Sequence, residues 1–315
     1  MPGKRPKVEP IRNATLFEMD KLEQARNLAN SLNLERPYSE PGLLQGTCAF
    51  TANGWAGAFY PPGMKPHDFL SYYAKQFETV EIDSTYYGTP SASTVTSWYE
   101  KTPPDFVFAA KVPQVVTHAK VLKDCEAEFD EFIDRMGLLG EKLGPLLLQF
   151  RWFNKHEIQA DEFFRRLRFF LQRVKDLPTV RLAVEIRNRA WLDKRLTDLL
   201  REYNVALALT DISRMPRPWE MKKQFDFVTT DFVYVRWLGD RKAMETLTPT
   251  WDKTIINRTD DLRNWAGLFR QFVSRNLKVY ADANNHYAGH GPDTVKLFWD
   301  MWEKRQNHSG FSIGY

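Results

Sequence analysis

Eight short apolar segments recur along the chain, and stretches of helical pattern lie between most of them. The segments are 43–50 (LLQGTCAF), 79–87 (TVEIDSTYY), 106–112 (FVFAAKV), 144–151 (GPLLLQFR), 181–188 (RLAVEIRN), 205–211 (VALALTD), 232–239 (FVYVRWLG) and 278–285 (KVYADANN). Helical spacing of apolar residues marks 66–77, 125–143, 161–174, 192–203, 260–276 and 293–305. Strand alternating with helix predicts parallel strands joined by crossover helices. Eight such units match an α/β fold of the (β/α)8 TIM-barrel kind in number and length. An open doubly wound sheet is the competitor, but no Gly-x-Gly-x-x-Gly turn follows the first strand. One barrel domain is therefore expected over residues 43–315.

Residues 1–42 read as an N-terminal extension. Its first twelve residues hold Lys4, Arg5, Lys7 and Arg12 against Glu9, a net of +3 out of the +4 carried by all 315 residues. The body is thus near neutral, unlike a broadly basic nucleic-acid binder. Residues 1–12 read as a disordered basic tail, 15–33 as one helix and 35–42 as a linker. No apolar run is long enough for a membrane span, and the first twenty residues lack the apolar core of a secretory signal. Cys48 and Cys125 are the two cysteines. Two are too few for a disulfide framework or a cysteine-based zinc site, and both are expected to stay reduced in a cytoplasmic setting.

Glu81 and Asp83 sit two apart in the second segment. Successive strand side chains point to opposite faces, so the two acids share one face and Val80 and Ile82 the other. In a closed barrel, polar groups at the C-terminal strand ends face the active-site mouth. Those ends carry Glu81, Asp83, Lys111, Gln149, Arg151, Glu185, Arg187, Asp211, Arg236, Asp282 and Asn284. Glu185 and Arg187 repeat the two-residue spacing, as do Tyr234 and Arg236. One such charge would be a barrel salt bridge; several converging on one end describe a polar cavity. We read Glu81, Glu185 and Lys111 as acid/base residues. Asp83, Arg187, Arg236, Tyr86, Trp55, His118, Gln149, Asn284 and Asn285 are read as substrate-binding. A buried carboxylate without a partner costs several kcal/mol or takes up a proton. Glu81 should therefore lie within reach of Lys111, Arg187 or Arg236, with Glu185 in the same network. The alternative for all of these charges is an ion network that only closes the barrel top.

The segment NNHYAGHGPDTV (284–295) places Gly289, Gly291 and Pro292 at the start of the last helix, an arrangement suited to an anion on backbone N–H groups. The other reading is a glycine-rich turn serving the connection. Glu81, Asp83, Glu185, Asp282, His118 and His286 are metal-ligating types but lack a tight spacing such as His-Glu-x-x-His. No cofactor is expected, a divalent metal being the less favoured reading. Cys48 reads as a small buried residue. Phe59 and Tyr60 read as packing under loops, while Trp55, Tyr86 and Trp237 divide evenly between packing and ring platforms.

Several stretches resemble the YecE-like family of TIM barrels, domain of unknown function 72. They are GTCAFTANGWAGAFYPPG (46–63), FETVEIDSTYYGTPSASTVTSWYEKTPPDFVFAAKVPQVVTH (77–118), LGPLLLQFR (143–151), AVEIRNRAWL (183–192), YVRWLG (234–239) and NNHYAGHGPDTV (284–295). The resemblance implies a (β/α)8 fold and supplies no reaction. Two departures stand out: Trp237, Leu238 and Gly239 where the family usually has a His, and Asp282 and Ala283 before the strand-eight asparagines.

The favoured expectation is an enzyme acting on a small anionic substrate, such as a phosphorylated sugar, by acid/base chemistry. Glu81 and Glu185 would form the acid/base pair, and Lys111, Arg187 and Arg236 would hold the anion. The second reading is a nucleic-acid-handling protein, phosphodiesterase or binder, using the tail, the mouth arginines and aromatics. The third is a non-catalytic barrel scaffold. No membrane partner is expected, and the sequence specifies no oligomeric partner.

Overall fold

The computed structural model describes residues 36–37, 39–177 and 180–309, the last six of these by backbone alone. The expected tail (1–12) and helix (15–33) lie outside the described residues, and the linker is described only in part. Eight strands form: β1 (Leu43–Thr47), β2 (Thr79–Ile82), β3 (Val107–Lys111), β4 (Leu143–Gln149), β5 (Leu182–Glu185), β6 (Ala206–Ile212), β7 (Phe232–Gly239) and β8 (Lys278–Ala283). All pair in parallel, in the order β1-β8-β7-β6-β5-β4-β3-β2. The fold is an α/β barrel, as the alternation requires.

Strand parity divides the core in two. Inward positions bring together Leu44, Ala109, Leu147, Ala183, Ala206, Ala208, Phe232, Tyr234 and Tyr280. Alanines on one side make room for the aromatics on the other, which fills the lumen. Outward positions such as Val80, Leu146, Val184, Leu209 and Val235 pack under the helices against Phe129, Phe163, Leu196, Phe269 and Phe298. Each fully buried side chain of this size contributes about 1.5–3 kcal/mol relative to exposure.

β1 and β2 stand at the two ends of the ladder. Among the described residues, no backbone hydrogen bond joins them. The Tyr73 hydroxyl, from helix α1 (Phe69–Gln76), bridges the gap instead. It accepts the Thr47 N–H at 2.8 Å and donates to the Thr79 carbonyl at 3.1 Å. Gly46 makes this approach feasible: a Cβ there would lie 2.0 Å from the Thr79 oxygen.

Three local expectations are corrected. The second segment leaves the sheet after Ile82, and Asp83–Tyr86 forms a single 3-10 turn, so Tyr86 and Tyr87 are not strand. Helix α2 (Ala92–Glu100) was not read from its Ser- and Thr-rich sequence; it is started by Ser91, whose hydroxyl accepts the Thr94 N–H at 3.2 Å. The helix expected over 125–143 stops at Met136 (α3, Glu126–Met136), and Gly140 turns the chain at φ +52° before β4. Helices α4 (Ala160–Val174), α5 (Lys194–Glu202), α6 (Pro218–Met221), α7 (Arg241–Leu247), α8 (Thr259–Val273), α9 (Asn285–Ala288) and α10 (Gly291–Ser309) complete the outer layer. No helix of the described residues is long and apolar enough to cross a membrane.

Candidate active site

The inward face of β7 alternates Phe232, Tyr234 and Arg236, climbing from apolar floor to charged top. Arg236 is 1% exposed and is bonded on every side. Its Nε and Nη2 donate to Glu81 Oε1 at 3.0 and 2.5 Å, and its Nη1 donates to Glu185 Oε2 at 2.7 Å. Nη2 also reaches Asp83 Oδ1 at 3.3 Å. Tyr234 donates to the second Glu81 oxygen at 2.6 Å, and Arg187 Nε donates to Glu185 Oε1 at 2.5 Å. The energetic requirement that Glu81 find a cation is met by Arg236, and Glu185 shares that cation. Burial alone would raise the Glu81 pKa; the Arg236 and Lys111 charges outweigh it and hold the carboxyl at about 2. Burial likewise opposes, and Arg187 and Arg236 outweigh, in keeping Glu185 below the usual carboxylate range.

This layer is sealed: Glu81 is fully buried and the Glu185 side chain is 1% exposed. What meets solvent lies just above it. Asp83 (side chain 30% exposed), Lys111 (14%) and Arg187 (19%) form the accessible floor of the mouth. Lys111 Nζ lies 2.9 Å from Asp83 Oδ1 and over the Tyr86 ring, 5.5 Å from its centre. Thr85 fixes this corner by donating to the carbonyls of Ile82 and Lys111 at 2.8 and 2.7 Å, tying the ends of β2 and β3 together. Burial and the Glu81 carboxylate push Asp83 up to about 6. Asp83 therefore exchanges its proton close to neutral pH, unlike Glu81 below it.

His118 lies on a π turn, Val115–Ala119, just after β3. Its ring meets Tyr86 edge-on at 5.0 Å, and its Nδ1 is 2.9 Å from the Thr117 hydroxyl. Burial, then the Arg151, Lys111 and Arg187 cations, push its pKa down to about 4, so it is neutral at physiological pH. The backbone beyond is strained: Val121, Leu122 and Asp124 all have positive φ. Gln149, on β4 in register with Glu185, is half-buried, and its side-chain amide has no hydrogen-bond partner among the described residues.

Other sequence candidates are held elsewhere. Trp55 is 1% exposed and donates to Asn285 Oδ1 at 3.1 Å; the same oxygen accepts the Gly291 N–H at 2.8 Å. Asn284 caps the short helix α9, accepting the His286 N–H at 3.0 Å. These three side chains build the loop after β8. Its anion reading is corrected accordingly, because the Gly289 and Gly291 N–H groups are already bonded to Asn285. Gly289 (φ +112°) is there for close packing, since a Cβ would lie 2.6 Å from the Lys253 carbonyl. Asp211 points outward, accepting from Trp265 Nε1 at 2.9 Å and Tyr287 Oη at 3.1 Å. Arg151 pairs in a fork with Glu157, at 3.1 and 2.8 Å.

Three groups were underrated. Tyr234 shares the Arg236 parity, which was the available signal. Asp282 is fully buried with no side-chain hydrogen-bond partner among the described residues, and burial together with the Glu81 charge drives its pKa well up. Cys48 completes the group: its sulfur lies with oxygens of Glu81 and Asp83 inside 4.8 Å. These are metal-ligating types, yet the Arg236 guanidinium already occupies both carboxylates, and burial raises the Cys48 thiol well above its ordinary pKa. A cation would have to displace a bonded guanidinium and deprotonate a buried thiol, so the donor set does not fit one.

Comparisons agree with the resemblance seen in the sequence. The family described as "Protein of unknown function DUF72" matches residues 44–312. The UPF0759 protein YecE of Escherichia coli (strain K12) is 36% identical over 80 residues, covering 25% of this chain and 29% of YecE. The UPF0759 protein YunF of Bacillus subtilis (strain 168) is 31% identical over 147 residues, 44% of this chain and 50% of YunF. The aligned regions thus span half or less of these relatives. The crystal structure of a DUF72 family protein from Thermotoga maritima superposes with a TM-score of 0.62 at 25% identity, covering 84% of this chain and 99% of that one.

Proposed function

The chain belongs to the DUF72 family, a name that specifies no reaction, and from its own mouth geometry we propose an enzyme that moves a proton on a small anionic substrate such as a phosphorylated sugar. The observation that carries this reading is the Asp83–Lys111 pair, 2.9 Å apart and partly exposed at the mouth, standing on the buried Arg236–Glu81–Glu185 ion layer. Buried ion pairs are poor stabilisers compared with apolar packing. Their use here is to hold Asp83 and Lys111 in place at the mouth.

Asp83 is the proton-transfer group, being the one carboxyl at the floor whose pKa, about 6, lies near neutrality. Glu81 and Glu185 are sealed below it and act as positioning residues, with Arg236 and Tyr234. Lys111 and Arg187 receive the substrate's anionic group and stabilise negative charge that develops on it. Gln149, His118 and Tyr86 offer the remaining contacts, an uncommitted amide, a neutral imidazole and a ring.

The test is a binding and turnover screen of phosphorylated sugars against the protein and its Asp83→Asn variant. Binding should be retained or weakened by less than turnover, and turnover in the parent should rise through an apparent pKa of about 6. Unchanged turnover in Asp83→Asn, or no binding of any phosphorylated sugar, would overturn the reading.

A further inference from the structure

A cleft of about 750 Å³ lies not over the ion layer but beside it. It is lined by the segment after β4, from Trp152 to Ala160, and by Asn188 and Trp191 after β5. Trp152 directly follows Arg151, and Asn188 directly follows Arg187. The cleft is therefore one residue step, about 3.8 Å along the chain, from two of the cations that surround His118.

Trp152 stands 60% exposed on its wall, unusual for so large an aromatic surface. The loop that presents it is rigid. The Asn188 amide clamps Phe153 from both sides, accepting its N–H at 2.8 Å and donating to its carbonyl at 2.9 Å. Glu157 is forked to Arg151 and also accepts the Asn154 N–H at 2.8 Å. Beneath, Trp191 stacks on Phe163 at 4.8 Å and on Phe153 at 6.1 Å. On the rim, the side chains of Lys155, His156 and Gln159 have no hydrogen-bond partner among the described residues. A second cleft, about 490 Å³, is lined by Tyr87, itself 79% exposed, by Glu128, which is paired with Lys120, and by Glu131, whose carboxylate disfavours an anion.

Resting on the anion-binding reading above, we propose that the substrate is a nucleoside phosphate: its phosphate meets Lys111 and Arg187, its sugar faces Gln149 and His118, and its base stacks on Trp152. A nucleotide carries a phosphate, a sugar and a base, and the mouth with its neighbouring cleft offers cations, polar groups and a flat ring for the three. Free donors and acceptors on the rim suit a base edge. Stacking on an aromatic side chain tolerates any base, because each has a π face.

Calorimetric titration with adenosine 5′-monophosphate, ribose 5-phosphate and inorganic phosphate tests this. The nucleotide should bind roughly 5- to 150-fold tighter than ribose 5-phosphate, the range that stacking one base supplies. Trp152→Ala should abolish that difference and leave ribose 5-phosphate binding unchanged, Trp152→Phe should restore most of it, and Tyr87→Ala should leave it intact. Equal affinity for nucleotide and ribose 5-phosphate overturns this inference while leaving the proposed function standing. So does loss of the difference in Tyr87→Ala alone, or tighter, Trp152-dependent binding of a phosphorylated disaccharide. Failure of all three probes to bind would instead remove the proposed function and this inference with it.

Discussion

Replacing Arg236 by Met keeps a long, unbranched side chain in the lumen and deletes the guanidinium. Glu81 then keeps the Tyr234 hydroxyl as its hydrogen-bond donor, whereas Glu185 keeps Arg187. The orphaned charge is therefore mainly that of Glu81, in a fully buried position. Removing one partner of a buried pair costs about 3–5 kcal/mol. The depression of the Glu81 pKa from 4.5 to about 2 corresponds to about 3 kcal/mol at neutral pH, in the same range. The sign follows from linkage. In the parent the folded pKa lies below the unfolded one, so this stability is present above pH 4.5 and is lost as pH falls towards about 2. In Arg236→Met the Glu81 pKa rises instead, so the penalty is greatest at neutral pH and shrinks on acidification. Urea unfolding followed by circular dichroism, at neutral pH and at about pH 4, gives both deficits through the midpoints. Adding Glu81→Gln to Arg236→Met should recover part of the loss, since the charge leaves with its partner. A variant as stable as the parent at neutral pH, or a deficit that grows as pH falls, would refute the reasoning.

Tyr73→Phe removes the hydroxyl that bridges Thr47 and Thr79 and should destabilise the barrel by about 1–3 kcal/mol, with faster amide exchange at Thr47 than in the parent; unchanged exchange there would contradict the bridge. The His118 ring protons should titrate by NMR with a midpoint near 4, and a midpoint close to 6.5 would mean that the mouth cations do not act on it. Because that folded pKa lies below the ordinary 6.5, His118 withdraws stability as pH falls from 6.5 towards 4. Cys48 and Cys125 are free and buried, and burial pushes the Cys125 thiol up to about 11. Both should resist alkylation in the native protein and react on denaturation; rapid native labelling of either would place it at the surface.

The barrel was legible because its eight strands carry apolar runs that parallel, two-sided burial demands. The ion layer was legible for a related reason: inward parity at two-residue spacing put Glu81, Glu185 and Arg236 in one lumen. Depth was not legible. Chain order places Asp83 nearer the mouth than Glu81, but it does not say that the Arg236 layer seals Glu81 from solvent, so the proposed acid/base assignment moves one step up the strand end. Asp211 was included among the mouth charges although parity in β6 turns it outward to Trp265. Helix α2 escaped because its stability comes from the Ser91 cap and from burial of Val95, Trp98 and Tyr99, not from intrinsic propensity. The exposure of Trp152 depends on a loop clamped by Asn188, thirty-five residues away in the chain, a contact that no local pattern records.

The order of the ladder also bears on how the chain assembles as it leaves the ribosome. Leu43 pairs with Val279 and Thr47 with Ala283, so the first strand finds its hydrogen-bonding neighbour only in the last. From β2 to β8 each strand can add to the one just made, in the order of synthesis. β1 cannot, and its apolar residues must wait, unpaired, for nearly the whole barrel to emerge. A nascent chain halted before β8 would hold an exposed strand of the kind that chaperones bind and that pairs with other copies. Release of β8 then converts a growing open sheet into a ring in a single step, with the Tyr73 bridge as its latch.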